Sequence, residues 1–302
     1  MALRRFGRNH MAVVGAAVLA VLIAACYGSL FYSLRPAAVG QAARYEQQDL
    51  SQALSNATAA HPFGTDQLGR DLLGRMALGG AISLAIGLSA AGISVIIGTA
   101  VGLIAGYVGG RTDATLMRAV DVLYGLPYIL LVILLRVAVV GQVTDLLRWC
   151  GLTQPESWAN VLVLLVGIGG VSWLTMARVV RGQVLSLRDQ PFIEAARAMG
   201  LGHAAIILRH LLPNLVGVII VYATLAVPGA ILQESFLSFL GLGVQNPMPS
   251  WGNLASDAVA ALNPVKIHWM LVIWPLAALS LTLLCLNFVG DGLRDALDPK
   301  SR

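Results

Sequence analysis

Charge is what this sequence has least of. Of its 302 residues only 12% are Asp, Glu, Lys or Arg, while 57% are apolar, and mean hydropathy is +0.77. That ratio excludes an ordinary soluble domain, in which about 25% of residues are charged. Lysine is nearly missing, represented by Lys266 and Lys300, and neither follows a glycine-rich run. There is thus no G-x-x-x-x-G-K-[ST] loop to cradle a nucleotide, and any ATP hydrolysis tied to this chain must come from another subunit. H-E-x-x-H, C-x-x-C and G-x-S-x-G are absent too, which leaves no recognised catalytic constellation, no metal site and no implied cofactor. Cys26, Cys150 and Cys285 are too few and too scattered for a disulfide framework; they read as small apolar fillers. No basic stripe interleaved with aromatics suggests nucleic acid.

What is present is apolar length. Stretches free of Asp, Glu, Lys and Arg run over Asn9–Leu34, Met76–Gly110, Trp158–Ala177, His210–Gln233 and Ile267–Gly290. Each reaches the ~20 residues a helix needs to cross ~30 Å of hydrocarbon. A sixth, Val122–Thr144, is interrupted by Arg136. The sequence therefore predicts an all-α polytopic membrane protein with six transmembrane helices, near 11–34, 79–107, 122–141, 159–180, 213–240 and 269–289. With the N-terminus in the cytoplasm, thirteen of the twenty basic residues fall in cytoplasmic segments and six outside, the sense of the positive-inside rule. Both termini then lie inside, and the net charge of +5 reads as topology and contact with anionic lipid. Arg4, Arg5 and Arg8 before an apolar stretch also resemble the start of a signal peptide, and Ile23-Ala24-Ala25-Cys26 a lipoprotein cleavage box. Apolar residues continue through Leu34 and five more spans follow, so an uncleaved anchor is expected.

Between the fourth and fifth spans lies a short polar segment. Asp189-Gln190-Pro191 suits a helix start, and Ala195, Ala196 and Ala198 keep that helix slim. Gly200 and Gly202 can take positive φ and end it, and a second short helix, His203–Leu212, is expected to stop at Pro213. A small-residue helix-turn-helix joining two spans suits docking into a shallow cleft of another protein. Glu194, Ala195, Ala196, Gly200, Leu212 and Pro213 resemble the cytoplasmic coupling loop of ABC-importer permeases. His210 stands where the general pattern has Ile, but Arg209-His210-Leu211-Leu212-Pro213-Asn214 is similar to the variant of the peptide/nickel subgroup.

Further segments carry the same resemblance. His61-Pro62-Phe63-Gly64-Thr65-Asp66-Gln67-Leu68-Gly69-Arg70-Asp71 resembles the H-P-[LF]-G-T-D-x-x-G-R-D signature of the second, C-type, dipeptide and oligopeptide permeases. Phe236–Gly243 and Pro249-Ser250-Trp251-Gly252 resemble the outer end of their fifth span and the loop after it. Asn287–Asp295 with Asp298-Pro299 resembles their C-terminal end. The resemblance implies the type I ABC-importer permease fold in a bacterial inner membrane. It divides the chain into an N-terminal region, 1–78, with the first span and an extracytoplasmic segment, and a permease core, 79–302, containing the coupling loop 186–213. It implies a second homologous permease, two cytoplasmic ATPase subunits with Ala195 and Ala196 against their surface, and an extracytoplasmic peptide-binding protein. The implied cargo is a di- or oligopeptide, with nickel chelates as the alternative. A self-contained channel or secondary transporter would need no ATPase, and the coupling loop argues against it.

Several residues leave two readings each. Asp66, Arg70 and Asp71 form either a charge-paired turn capping the second span or a gate or docking surface for a binding protein. Gly98, Gly102 and Gly106 repeat every four residues and leave a bare stripe where another helix can approach closely. Pro228-Gly229 loosens the fifth span, as a fixed kink or as a bend lining the pathway. Arg136 either snorkels to the outer interface or meets a buried partner. Glu234 caps or pairs locally, with Arg136 as a candidate partner, or faces an aqueous pathway. Trp149, Trp158, Trp251, Trp269 and Tyr32, near span ends, read as interfacial anchors.

Overall fold

A computed structural model describes residues 5–35, 43–262 and 268–297. Arg4, Lys266, Asp298, Pro299 and Lys300 lie outside the described residues. Among those residues the structure is helical, with one isolated β-bridge between Thr65 and Asp71. The helices are α1 (His10–Gly28), α2 (Leu30–Ser33), α3 (Leu72–Val108), α4 (Gly110–Tyr124), α5 (Tyr128–Trp149) and α6 (Pro155–Arg188). They continue as α7 (Pro191–Ala198), α8 (His203–Ile206), α9 (Leu212–Phe239), α10 (Trp251–Ala260) and α11 (Trp269–Leu297). Six helical stretches are long and apolar enough to cross a membrane: His10–Ser33, Leu72–Val108, Tyr128–Trp149, Pro155–Arg188, His203–Phe239 and Trp269–Leu297.

All six expected spans are present, and several of their bounds move. The second begins at Leu72 rather than at 79, because Asp71 Oδ2 accepts from Gly74 N at 2.7 Å and fixes the helix start there. Arg75 does not interrupt it, since its side chain is buried in protein. The third begins at Tyr128 rather than at 122. Val122 belongs to α4, which ends at Tyr124; Pro127 biases the residue before it away from the helical region. The span then runs on to Trp149, past Asp145 and Arg148, which pair at 3.2 Å.

Pro213 does not stop a helix. A π turn, Ile207–Leu211, leads from α8 into α9, and Pro213 falls in the first turn of α9, where its missing N–H costs little. The Asn214 amide donates to the His210 carbonyl at 2.6 Å. His203–Phe239 is therefore one helical stretch from coupling segment through membrane span.

The centre of the bundle is the crossing of α3 and α6. A Cβ on Gly98 would lie 2.5 Å from Met176 Cβ, one on Gly102 2.6 Å from the Ala177 carbonyl, and one on Gly106 2.7 Å from Val184 Cβ. The glycine stripe thus serves packing inside the subunit, and any side chain there would push the two spans apart. At the edge, α1 lies along α11, with Gly15 against Cys285 and Phe288. This arrangement puts α7 and α8 at one end of the bundle and residues 44–72 with α10 at the other.

Candidate functional site

At the α7–α8 end, extended Gln190 and Pro191 start α7, and Gly200 at φ +76° ends it. Gly200 N donates to Arg197 O at 2.9 Å and Leu201 N to Ala196 O at 3.1 Å, closing the helix through a left-handed residue. Gly202 sits at φ −66° as the extended N-cap of α8, so of the two glycines only Gly200 is left-handed. Ile193 and Ala196, three apart on one helix face, are 0% exposed and pack with Val184, Ile206 and Leu211. Ala196 therefore belongs to the core of the loop. Its expected place on the outer surface is corrected, because Ile193 sets the inward face of α7. Glu194, Ala195, Gly200 and Pro213 are exposed and Leu212 is half-buried. Around them Phe192, Met199 and Leu208 stand 41%, 72% and 62% exposed.

Polar ties join this segment to the spans. The Tyr107 hydroxyl at the end of α3 lies 2.9 Å from His203 Nδ1, and Arg188 Nη1 donates to the Gly106 carbonyl at 3.1 Å. Arg197 stacks over the Tyr107 ring at 5.7 Å. Arg181 grips Asp113 through two bonds of 2.5 and 2.7 Å, and Arg178 reaches Asp121 at 2.8 Å, strapping α4 to α6. The hydrogen bond from Arg181 holds the Asp113 carboxyl below its ordinary value of 3.8.

At the opposite end, the turn before α3 is built around Asp66. Its Oδ1 accepts from the backbone N–H of Leu68 and Arg70 at 2.9 and 3.0 Å, and its Oδ2 from Arg70 Nε at 2.7 Å. Asp71 caps α3 and meets His61 Nδ1 at 3.0 Å. Behind this turn lies a residue that sequence reasoning treated only as a topology charge. Arg75 is 0% exposed, 3.5 Å from Asp66 Oδ2 and 3.8 Å from Asp257 Oδ2, and donates to Asn246 Oδ1 at 3.3 Å. One guanidinium thus holds the Asp66 turn, α10 and the loop after α9 together. Burial raises the Asp257 carboxyl above its ordinary value of 3.8, with Arg75 pulling the other way. No local spacing signals this, since the partners of Arg75 lie 9 residues before it and 171 and 182 after it.

Trp251 is a core residue rather than an interfacial anchor. It is 1% exposed, lies against Gly80, and donates from Nε1 to the Met76 carbonyl at 3.1 Å. A capping box between Ser250 and Asn253 sets the start of α10 that carries it. Glu234 is 0% exposed and accepts from Ser238 at 2.8 Å and Ser235 at 3.2 Å, with the Ser83 and Ser250 hydroxyls nearby. The pair with Arg136 does not form. Arg136 Nη1 donates instead to the Gly241 carbonyl at 3.2 Å, and hydroxyls meet the carboxyl oxygens that burial would otherwise leave unsatisfied. Pro228 is buried within an unbroken α9.

Between α3, α6 and α9 lies a cavity of about 270 Å³ lined by Ser94, Ser172, Thr175, Tyr222, Gly229 and Gln233, among others. An adjoining one of about 280 Å³ shares Ser172, Thr175 and Gln233 and adds Tyr128. Neither has a charged residue in its wall. Tyr222, Leu225, Ala226, Gly229, Ala230 and Gln233 face it from α9, a stripe at helical spacing. Glu234 is one position on, rotated by more than a quarter turn of helix. Sequence reasoning weighed charges within spans and so passed over Gln233.

Residues 98–302 match the profile of the binding-protein-dependent transport system inner membrane component family, and residues 1–57 match the N-terminal TM domain of oligopeptide transport permease C. The chain belongs to the binding-protein-dependent transport system inner membrane components. This permease is 45% identical to the oligopeptide transport system permease protein OppC of Haemophilus influenzae, covering 99% of this chain and 88% of that one. To OppC of Escherichia coli K12 the identity is 46%, covering 99% and 90%. To the dipeptide transport system permease protein DppC of Bacillus subtilis it is 42%, covering 99% and 85%. Its fold matches a chain of the MetNI methionine ABC transporter in an inward-facing conformation, with a TM-score of 0.55 and 19% identity over 74% of this chain and 96% of that one. The permease is thus an all-α, six-span ABC-importer subunit of the inner membrane.

Proposed function

We propose that this permease is one of two membrane subunits of an ATP-driven importer for di- and oligopeptides. The observation that carries the reading is 45% identity across 99% of the chain to a permease named for oligopeptide transport. A second, homologous permease completes the pathway, two cytoplasmic ATPase subunits dock at α7–α8, and an extracytoplasmic peptide-binding protein delivers cargo. Both termini face the cytoplasm. The chain itself makes and breaks no covalent bond.

In this reading closure of the ATPases pushes on the exposed surface around Glu194, Ala195, Phe192 and Met199. Ile193 and Ala196 are packed against Val184, Ile206 and Leu211, and Tyr107 holds His203, so displacement passes to α3, α6 and α9 instead of being absorbed in the loop. Gly200 sets the angle between α7 and α8, and Leu212 and Pro213 lead the motion into α9. At the far end Asp66, Arg70 and Asp71, backed by Arg75, form the outer gate with Glu234 and Arg136. Pro228 is the bend between the moving and the sealed halves of α9. Residues 1–78 anchor and cover the core, 79–302.

Proteoliposomes containing both permeases, the ATPases and the binding protein test this. ATP-dependent uptake of peptides is expected, and uptake of nickel chelates without peptides would reassign the cargo. Peptide uptake that persists without the ATPases would replace the mechanism with a channel or secondary transporter. Topology is tested by cysteine labelling of intact cells, which should reach position 48 in Gln48→Cys and miss position 202 in Gly202→Cys.

A further inference from the structure

We propose that the uncharged polar face of Ser172, Thr175, Tyr222 and Gln233 is the mid-span contact surface for the peptide backbone, so that this permease passes cargo without reading its charge. The inference rests on the peptide-importer reading and deepens it. Within a span, a polar side chain turned toward hydrocarbon is unfavourable, so such a face is kept for water, protein or cargo. Hydroxyls in helices commonly bond back to a carbonyl one turn earlier. Thr144 and Thr282 do so here, each at 2.8 Å. Among the described residues, Ser172, Thr175 and Gln233 make no side-chain hydrogen bond, and their donors and acceptors open into the cavity.

The shape of the face agrees with an extended chain. From Tyr222 to Gln233 the stripe rises ~16 Å along α9, about the length of five extended residues. Ala226, Gly229 and Ala230 between them keep its floor shallow. What every peptide shares is the amide N–H and C=O. A Gln amide and a Ser or Thr hydroxyl can each donate and accept, so they satisfy that backbone whatever the side chains. A fixed charge would instead favour some peptides and reject others. The charges around it are turned elsewhere, Glu234 to Ser235 and Ser238, Arg136 to the Gly241 carbonyl and Arg178, three residues after Thr175, to Asp121.

The test is uptake of a neutral, a Lys-containing and a Glu-containing tetrapeptide by the complete reconstituted complex. The Thr175→Val/Gln233→Leu double variant should slow all three alike by roughly tenfold, the order expected for two lost backbone contacts. Gln233→Glu should lower uptake of the acidic peptide about tenfold relative to the basic one. A benzophenone amino acid placed at position 233 should form an adduct with radiolabelled peptide during ATP-driven uptake, which keeps the proposal testable if the double variant fails to assemble. Undiminished uptake by the double variant, or an adduct with the partner permease and none with peptide, overturns the inference and leaves the importer reading intact. A wild-type complex that imports no peptide at all overturns both.

Discussion

At the Asp66 end the demanding groups are turned inward: Arg75 and Glu234 are 0% exposed, Trp251 is 1%, and side chains or carbonyls of the same chain meet each of them. At the α7–α8 end, Phe192, Met199 and Leu208 stand 41–72% exposed, and Gly200 holds a left-handed turn with nothing within 4 Å of where a Cβ would sit. The first end meets most of these demands within one subunit, with Arg75 Nε and Nη1 left without a hydrogen-bond acceptor. The second presents apolar surface at the tip of a polar segment, the kind of surface that marks an interaction site. One helical stretch, His203–Phe239, connects the two, so in the proposed importer a partner pressing on the open end would act on a helix whose far end is fastened.

The contrast can be broken first at Arg75. Arg75→Ala removes a buried cation from between Asp66 and Asp257, and breaking such a pair costs about 3–5 kcal/mol. The expected result is a purified subunit with a markedly lower melting temperature and poor membrane yield. Wild-type stability in this variant would mean that the Asp66 end is not the fastened one.

The open end distinguishes two neighbours. Ala196→Trp should destabilise the α7–α8 unit by about 1–3 kcal/mol through overpacking, read as faster hydrogen exchange in the isolated subunit. Ala195→Trp should leave that exchange unchanged and weaken binding to the ATPases. Equal exchange in both variants would contradict the inward placement of Ala196.

Gly200→Val imposes the left-handed conformation on a β-branched residue at a cost of about 1–2 kcal/mol. The subunit is expected to insert normally while substrate-stimulated ATP hydrolysis and uptake fall together. Full coupling in this variant would remove the loop from its mechanical role.

The smallest expected effect is at the Arg181–Asp113 strap. Asp113 titrates below its ordinary 3.8 in the folded chain. The strap's contribution is therefore complete above that value and is lost as pH falls through the lower, folded one. Asp113→Asn should loosen α4 by about 1 kcal/mol or less, detectable as faster exchange in α4 at neutral pH. In wild type the same loosening should come only below pH 3.8; loosening near neutrality would deny the strap this role.

Six spans were legible in the sequence because crossing a bilayer is a property of composition over about 20 consecutive residues, and each run meets it alone. The coupling segment was legible for a similar reason. Pro191, the alanines and Gly200 state their backbone preferences locally, and Gly200 adopts the left-handed turn those preferences allow. Pro213 misled because a proline in a helix's first turn and one that ends a helix look alike until the preceding π turn is seen. What only the tertiary structure decided is which way side chains face. Ile193 turns Ala196 inward, Asp66 and Asp257 converge on Arg75 from positions 9 before and 182 after it in the chain, and the crossing of α3, α6 and α9 turns Gln233 to the cavity and Glu234 to its serines. Helix rotation is set by neighbours far away in sequence, so the same apolar run is compatible with any face toward the core until those neighbours are in place.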